Sequence, residues 1–164
     1  MKPLQTRWNN RRHPAPERRS LERFCRRAAE LAGLPEGDWE LELLFTNDRS
    51  MARYNREISG HKGATDVITL SWFDDPEGLF PGDPELLLIV NPDAAAREGA
   101  ARSDSSYARE MALYIVHGML HAAGEDDLEE NARLSMRAAE ARLLTALARE
   151  FTFAELFPEE KRRP

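Results

Sequence analysis

Between Tyr114 and Glu130 the chain reads YIVHGMLHAAGEDDLEE. His117 and His121 are four positions apart, and on a helix that spacing stacks two side chains on one face, so both imidazoles aim at one point. Ile115, Val116, Met119, Leu120 and Ala122 make the same helix apolar nearly all round, which implies burial. A buried polar group without a partner costs on the order of 1–3 kcal/mol. Two buried imidazoles therefore need hydrogen-bond partners or a metal. Gly124 accepts positive φ and turns the chain back, which lets Asp127 return a carboxylate toward the rings. Two imidazoles and a carboxylate, with a further position open to water, form the donor set of a catalytic zinc site. A histidine pair at this spacing is by itself more often a hydrogen-bonded core feature; the glycine and the carboxylate after it favour the metal. Helical zinc proteases share the His-x-x-x-His spacing but place a Glu after the first histidine as general base. Here that position is Gly118.

The elements that must position these groups follow from periodicity. Residues 1–16, with Pro3, Pro14 and Pro16, read as a loop or loose strand, a basic N-terminal segment without clear pattern. A helix is expected from about Leu21 to Leu34. WELELLFTN alternates as a half-buried strand does, and Asp48 is expected to cap a short helix reaching Tyr54 and Asn55. TDVITLSWF, rich in β-branched and aromatic residues, reads as a second strand. A Pro/Gly/Asp-rich loop, FDDPEGLFPGDPE, comes next. LLLIVN is a third, fully apolar strand placed centrally, and Pro92 opens the next helix. Longer helices are expected from about Ser105 to Ala122 and from about Leu128 to Glu150. The tail FTFAELFPEEKRRP suits a short amphipathic turn. The fold class is α+β: one small mixed β-sheet packed with helices, with residues 1–164 forming a single domain.

Composition sets the outer limits. With 164 residues, 41% hydrophobic and 32% charged, the chain is long enough for one core and too apolar for a disordered segment. No apolar run approaches the roughly 20 residues needed to cross a bilayer, and the basic N-terminus lacks the apolar stretch of a secretory signal. The expectation is a cytoplasmic protein without membrane attachment. The lone Cys25 lies at helical spacing with Leu21, Phe24 and Ala28 and reads as a buried, inert thiol. The formal net charge is −6, which argues against general nucleic-acid affinity. Its distribution is uneven: residues 1–27 hold nine Lys/Arg against Glu17 and Glu22. Such an arm on an acidic body either seeks phosphate or is simply solvated.

HGMLHAAGEDD resembles the signature of the bacterial YbeY-type rRNA maturation endoribonucleases, with His117, Gly118, Leu120, His121, Gly124 and Asp126 in place. YNREISGHKGATDVITLSW is similar to a second segment of that family, through Asn55, Arg56, Glu57, Gly60, Thr65, Asp66 and Val67. The resemblance runs from about residue 20 to 147. It implies a single-domain α+β fold, one bound metal, Zn2+ or another divalent ion, and cleavage of single-stranded RNA. It also implies processing of rRNA near the 3′ end of the small-subunit RNA, contact with the ribosome or its small subunit, and ribosome quality control. The chain departs from the family at three places. Asp127 stands where the family closes its metal triad with His; an oxygen donor lowers the site's net charge by one and suits a somewhat harder metal. Ser59 stands where the family carries a functional Arg. The family's Gly-Asp before the third strand has no match in register, where Leu86 and Leu87 stand; Gly82-Asp83 comes too early in the chain.

Three functions fit these residues. The first is a metal-dependent endoribonuclease with His117, His121 and Asp127 as metal ligands, and with His61 and Lys62 as cationic candidates for substrate contact. No general base stands out. The second is a metal-stabilised ribosome-assembly factor that binds without cutting, favoured by Ser59. The third is a zinc-dependent peptide hydrolase, disfavoured by Gly118.

Overall fold

The protein is described from a computed structural model over residues 1–159. Four strands, β1 (Gln5–Trp8), β2 (Leu41–Phe45), β3 (Val67–Ser71) and β4 (Leu86–Val90), form one sheet in the order β1-β2-β4-β3. β1, β2 and β4 run parallel, and β3 pairs antiparallel with β4 along the edge. The helices are α1 (Arg18–Ala32), α2 (Asp48–Ser59), α3 (Pro92–Ala101), α4 (Tyr107–Ala122), α5 (Glu130–Ala148) and α6 (Phe153–Leu156). The α+β class and the mixed sheet expected from the sequence are what the fold contains.

α4 is the hub. It packs on β3 and β4 of the sheet and on α1, α3, α5 and α6, which explains why its sequence is apolar on nearly every side. Leu41, Leu43 and Phe45 of β2, with Leu86, Leu88 and Val90 of β4, join α4 in the main core. The alternate residues Leu44 and Ile89 point to the other face, where they meet Met51 of α2 and Ile68. β4 is thus covered on both faces, the condition under which a strand reads as an unbroken apolar run. Cys25 is fully buried, and burial pushes its thiol well above the ordinary range.

Two local expectations are corrected. The N-terminal segment is not loose. Gln5–Trp8 pairs with β2, Leu4 is fully buried, and the Trp8 ring lies 4.7 Å from that of Phe45. Buried Asn10 then donates to Thr46 O and Asp93 Oδ1, while its own Oδ1 accepts from the backbone N–H of Arg12 and His13. A four-residue edge strand with outward Gln5 and Arg7 offers too short an alternation to be seen in sequence. The cap of α2 is Asn47, whose side chain accepts from Ser50 N; Asp48 instead pairs with Arg97 and accepts from Asn91 Nδ2. At the other end, Phe151, Phe153 and Phe157 set their rings edge-on to Phe24 of α1. The tail turn is therefore α6, and residues 160–164 of that stretch lie outside the described residues.

Candidate metal centre

His117 and His121 sit in the last turns of α4, one helical turn apart, with ring centroids 4.5 Å apart and planes at 83°. Just beyond them the helix ends in a stop of the Schellman type. Glu125 N–H returns to Leu120 O at 3.0 Å and Gly124 N–H to His121 O at 3.0 Å, with Gly124 at φ 98°. An L side chain rarely adopts that φ, so the turn needs glycine. The reversal puts Glu125 O 3.0 Å from His121 Nδ1, and two residues on it brings Asp127 Oδ2 to 3.6 Å from His121 Nε2.

On His117, Nδ1 lies 2.6 Å from Glu140 Oε1 of α5. Both Nδ1 atoms thus donate to fixed oxygens, which leaves Nε2 of each ring as the free nitrogen. Fixing a ring through its second nitrogen sets the tautomer that binds metal and raises its basicity. Burial acts to lower the His117 pKa, but the Glu140 hydrogen bond and the charges of Glu140, Asp66 and Asp127 outweigh it, and the net shift is upward. One ligand atom from each of His117, His121 and Asp127 lies within 4.8 Å of the other two. A zinc ion would need its ligands about 2.0–2.2 Å away, so the three side chains would have to close inward to hold one. Each side chain is partly exposed, 25%, 28% and 40%, so the donors face an accessible space rather than a sealed core. The donor set fits one divalent metal, with room for a non-protein ligand.

Asp126 points elsewhere. Its Oδ1 accepts from Leu128 N at 2.9 Å and holds the turn. Glu140 was not foreseen from the sequence. Replacing it with glutamine keeps the shape and removes the charge that supports His117. We expect metal affinity to fall about 10–100-fold, the usual cost of losing such support, measured by competition with a chromogenic chelator.

The second sequence segment forms the facing wall. The histidines share a cleft of about 480 Å3 with Asn55 and Ser59 of α2, with Thr65 just before β3, and with Ile68, Thr69 and Ser71 along it. Buried Asn55 donates to Gly63 O and so fastens the loop between α2 and β3. Asp66 Oδ1 accepts from Val67 N and from Thr65 Oγ1, fixing the start of β3, and Asn91 Nδ2 holds Thr65 O from β4's end. Asn55 was also missed as a cleft residue, although its place on the apolar side of α2, one turn from Met51, was a legible signal. Ser59 lines the cleft at the end of α2. His61 and Lys62 are exposed on the α2–β3 loop and are not among the residues lining the cleft. Gly118 is packed on the sheet: a Cβ there would fall 2.6 Å from Leu88 Cδ2 and 2.9 Å from Thr69 Oγ1.

No helix among the described residues is long and apolar enough to cross a membrane. The solution structure of TM1509 from Thermotoga maritima has the same fold, with a TM-score of 0.56 over 90% of each chain at 19% identity. A protein of Heliobacterium modesticaldum named Endoribonuclease YbeY is 35% identical over 146 residues, covering 80% of this chain and 85% of that one. Its namesake in Rhizobium meliloti is 32% identical over 142 residues, covering 80% and 84%. The sequence profile of the family described as Endoribonuclease YbeY matches residues 7–148. With the profile spanning both walls of the cleft and all three candidate ligands, the chain belongs to the YbeY endoribonuclease family.

Proposed function

We propose that the chain is a metal-dependent endoribonuclease that cuts single-stranded RNA. Its place of action on this reading is the cytoplasm, in maturation of rRNA at the 3′ end of the small-subunit RNA and in ribosome quality control, in contact with the small subunit. His117, His121 and Asp127 hold the metal, which is zinc or another divalent ion that the oxygen donor of Asp127 admits. The observation that carries the reading is the convergence of these three groups beside an open, polar cleft walled by the family's second segment.

When bound, the ion supplies Lewis-acid polarisation of a phosphate oxygen or a water. The chain's own part is to position and to bind. Glu140 and Glu125 O hold the two rings in one orientation, and Asn55 fastens the α2–β3 loop beside the cleft. Ser59 offers a hydroxyl where the family offers a guanidinium, so charge developing on phosphate meets a neutral donor. His61 and Lys62, on the exposed loop that follows Ser59, serve as substrate contacts.

Zinc-loaded protein should cleave an unstructured RNA, and chelator-treated protein should not until zinc is returned. Ser59→Arg should then raise kcat/KM tenfold or more, since a preorganised donor to developing charge is worth about 100–1,000-fold in other enzymes. One observation favours the second reading, an assembly factor that binds without cutting: no Lys or Arg lines the cleft among the described residues. Full zinc content with no cleavage by either wild type or Ser59→Arg establishes that alternative. The peptide-hydrolase reading fails on sterics, because Gly118 faces β3 and β4 and leaves no space for a general-base side chain.

A further inference from the structure

Helix α2 presents Arg49, Arg53 and Arg56 at intervals of four and three residues, which places them on one face. All three are exposed. Together with Ser50 and Ala52 they form the whole lining of a shallow hollow of about 360 Å3. No carboxylate among the described residues forms an ion pair with any of them, whereas Arg7, Arg26, Arg27, Arg97 and Arg102 are each paired. The acid on α2 nearest to Arg49, Asp48, is already bound to Arg97 and Asn91. Arg53 is further held over the Tyr54 ring, 5.4 Å from its centroid. Three like charges left unpaired on one helix face repel one another, so an anion with several charges gains from all three at once.

The direction of the row matters as much as its charge. Ser59, one turn beyond Arg56, lines the metal cleft. At 1.5 Å rise per residue the path from Arg49 to Ser59 is about 15 Å long. At its far end Arg49 also borders a second hollow that contains Arg11 and Arg12. There Arg12 lies 3.7 Å from buried Asp93, which tempers its charge. We propose that the Arg49–Arg53–Arg56 face of α2 is a phosphate track that carries the RNA strand away from the metal cleft. The track rests on the RNA reading given above. It gives this chain, which lacks the arginine at position 59, a way to hold substrate by charge placed outside the cleft.

Its test is a salt titration of binding to a fluorescent, unstructured single-stranded RNA, with three zinc-loaded proteins. These are wild type, R49Q/R53Q/R56Q, and a charge-matched control, R102Q/R142Q/R149Q. Each neutralised phosphate contributes about −0.7 to the slope of log affinity against log salt for single strands. The α2 variant should therefore flatten the slope by about 2, and the control should run parallel to wild type. Zinc content should be equal in all three, because none of the six arginines is a ligand. If wild type binds and the α2 variant runs parallel to it, the track is wrong and the RNA reading stands. If both variants flatten equally, only net charge matters and the track is again wrong. If wild type fails to bind RNA at any salt concentration, the functional reading falls and the track falls with it.

Discussion

Asp127→Ala is expected to weaken zinc binding more than a hundredfold, and Asp126→Ala by less than tenfold. The two aspartates are neighbours in sequence, but one turns toward the histidines and the other into the backbone. Asp127 Oδ2 faces His121 Nε2 at 3.6 Å, whereas Asp126 Oδ1 is bound to Leu128 N. Losing a group that merely supports a ligand costs about 10–100-fold in metal affinity, and losing one of three ligands costs more. Losing the Asp126 bond removes one exposed hydrogen bond, about 0.5–1.5 kcal/mol, from a turn that Gly124 still shapes. Asp127→His should keep the metal, since an imidazole supplies the donor usual in the family. Competition against a chromogenic chelator reads all three affinities. Equal values for the two alanine variants would show that the carboxylate ligand has been misassigned.

Gly118→Glu is expected to cost the fold rather than to create a protease. In its sequence position this glutamate would complete the zinc-protease motif. In space it would enter the seam between α4 and the sheet, where even a methyl group approaches Leu88 Cδ2 to 2.6 Å. Leu88 is fully buried, so its side chain has nowhere open to go. For alanine, a gain of about 1 kcal/mol in helix propensity partly offsets an overpacking cost of about 1–3 kcal/mol. For glutamate the overpacking is larger and a carboxylate is left without a partner, which costs several kcal/mol more. The total exceeds about 4 kcal/mol, and at roughly 2–4 °C per kcal/mol for a chain of this size Tm should drop by about 10 °C or more. Thermal unfolding followed by circular dichroism, with a casein digest beside it, gives the answer. A variant that melts within about 3 °C of wild type and digests casein would overturn this account of the α4–sheet contact.

The histidine stretch was legible because its information is local. Helical period fixes the relation of His117 to His121, the glycine fixes the turn, and the turn fixes which carboxylate comes back. Glu140 was not legible, for it reaches His117 from another helix, and nothing in the sequence states how α5 is rotated against α4. β1 was hidden for a related reason. Its four residues gain their place from pairing with β2, and its inward contacts, such as Trp8 on Phe45, are long-range. Central β4 was easy, because burial on both faces leaves an apolar run that no loop would carry. The cap of α2 fell one residue from its expected place since Asn47 and Asp48 are both good caps, and the choice between them was made by Arg97, far along the chain.

The three candidate ligands all fall between His117 and Asp127, and this has a consequence for folding. A bound ion that joins distant segments restricts the unfolded chain strongly, whereas one that closes a short loop removes little chain entropy. Here the loop from His121 to Asp127 is already shaped by the Gly124 turn. Zinc should therefore tighten the α4–α5 junction without serving as the staple of the domain. Removing it should expose amides of residues 123–129 to hydrogen exchange while those of β2, β4 and the middle of α4 keep their protection. On that reading an ion would come and go from a finished fold, and its occupancy would be a property of the junction alone.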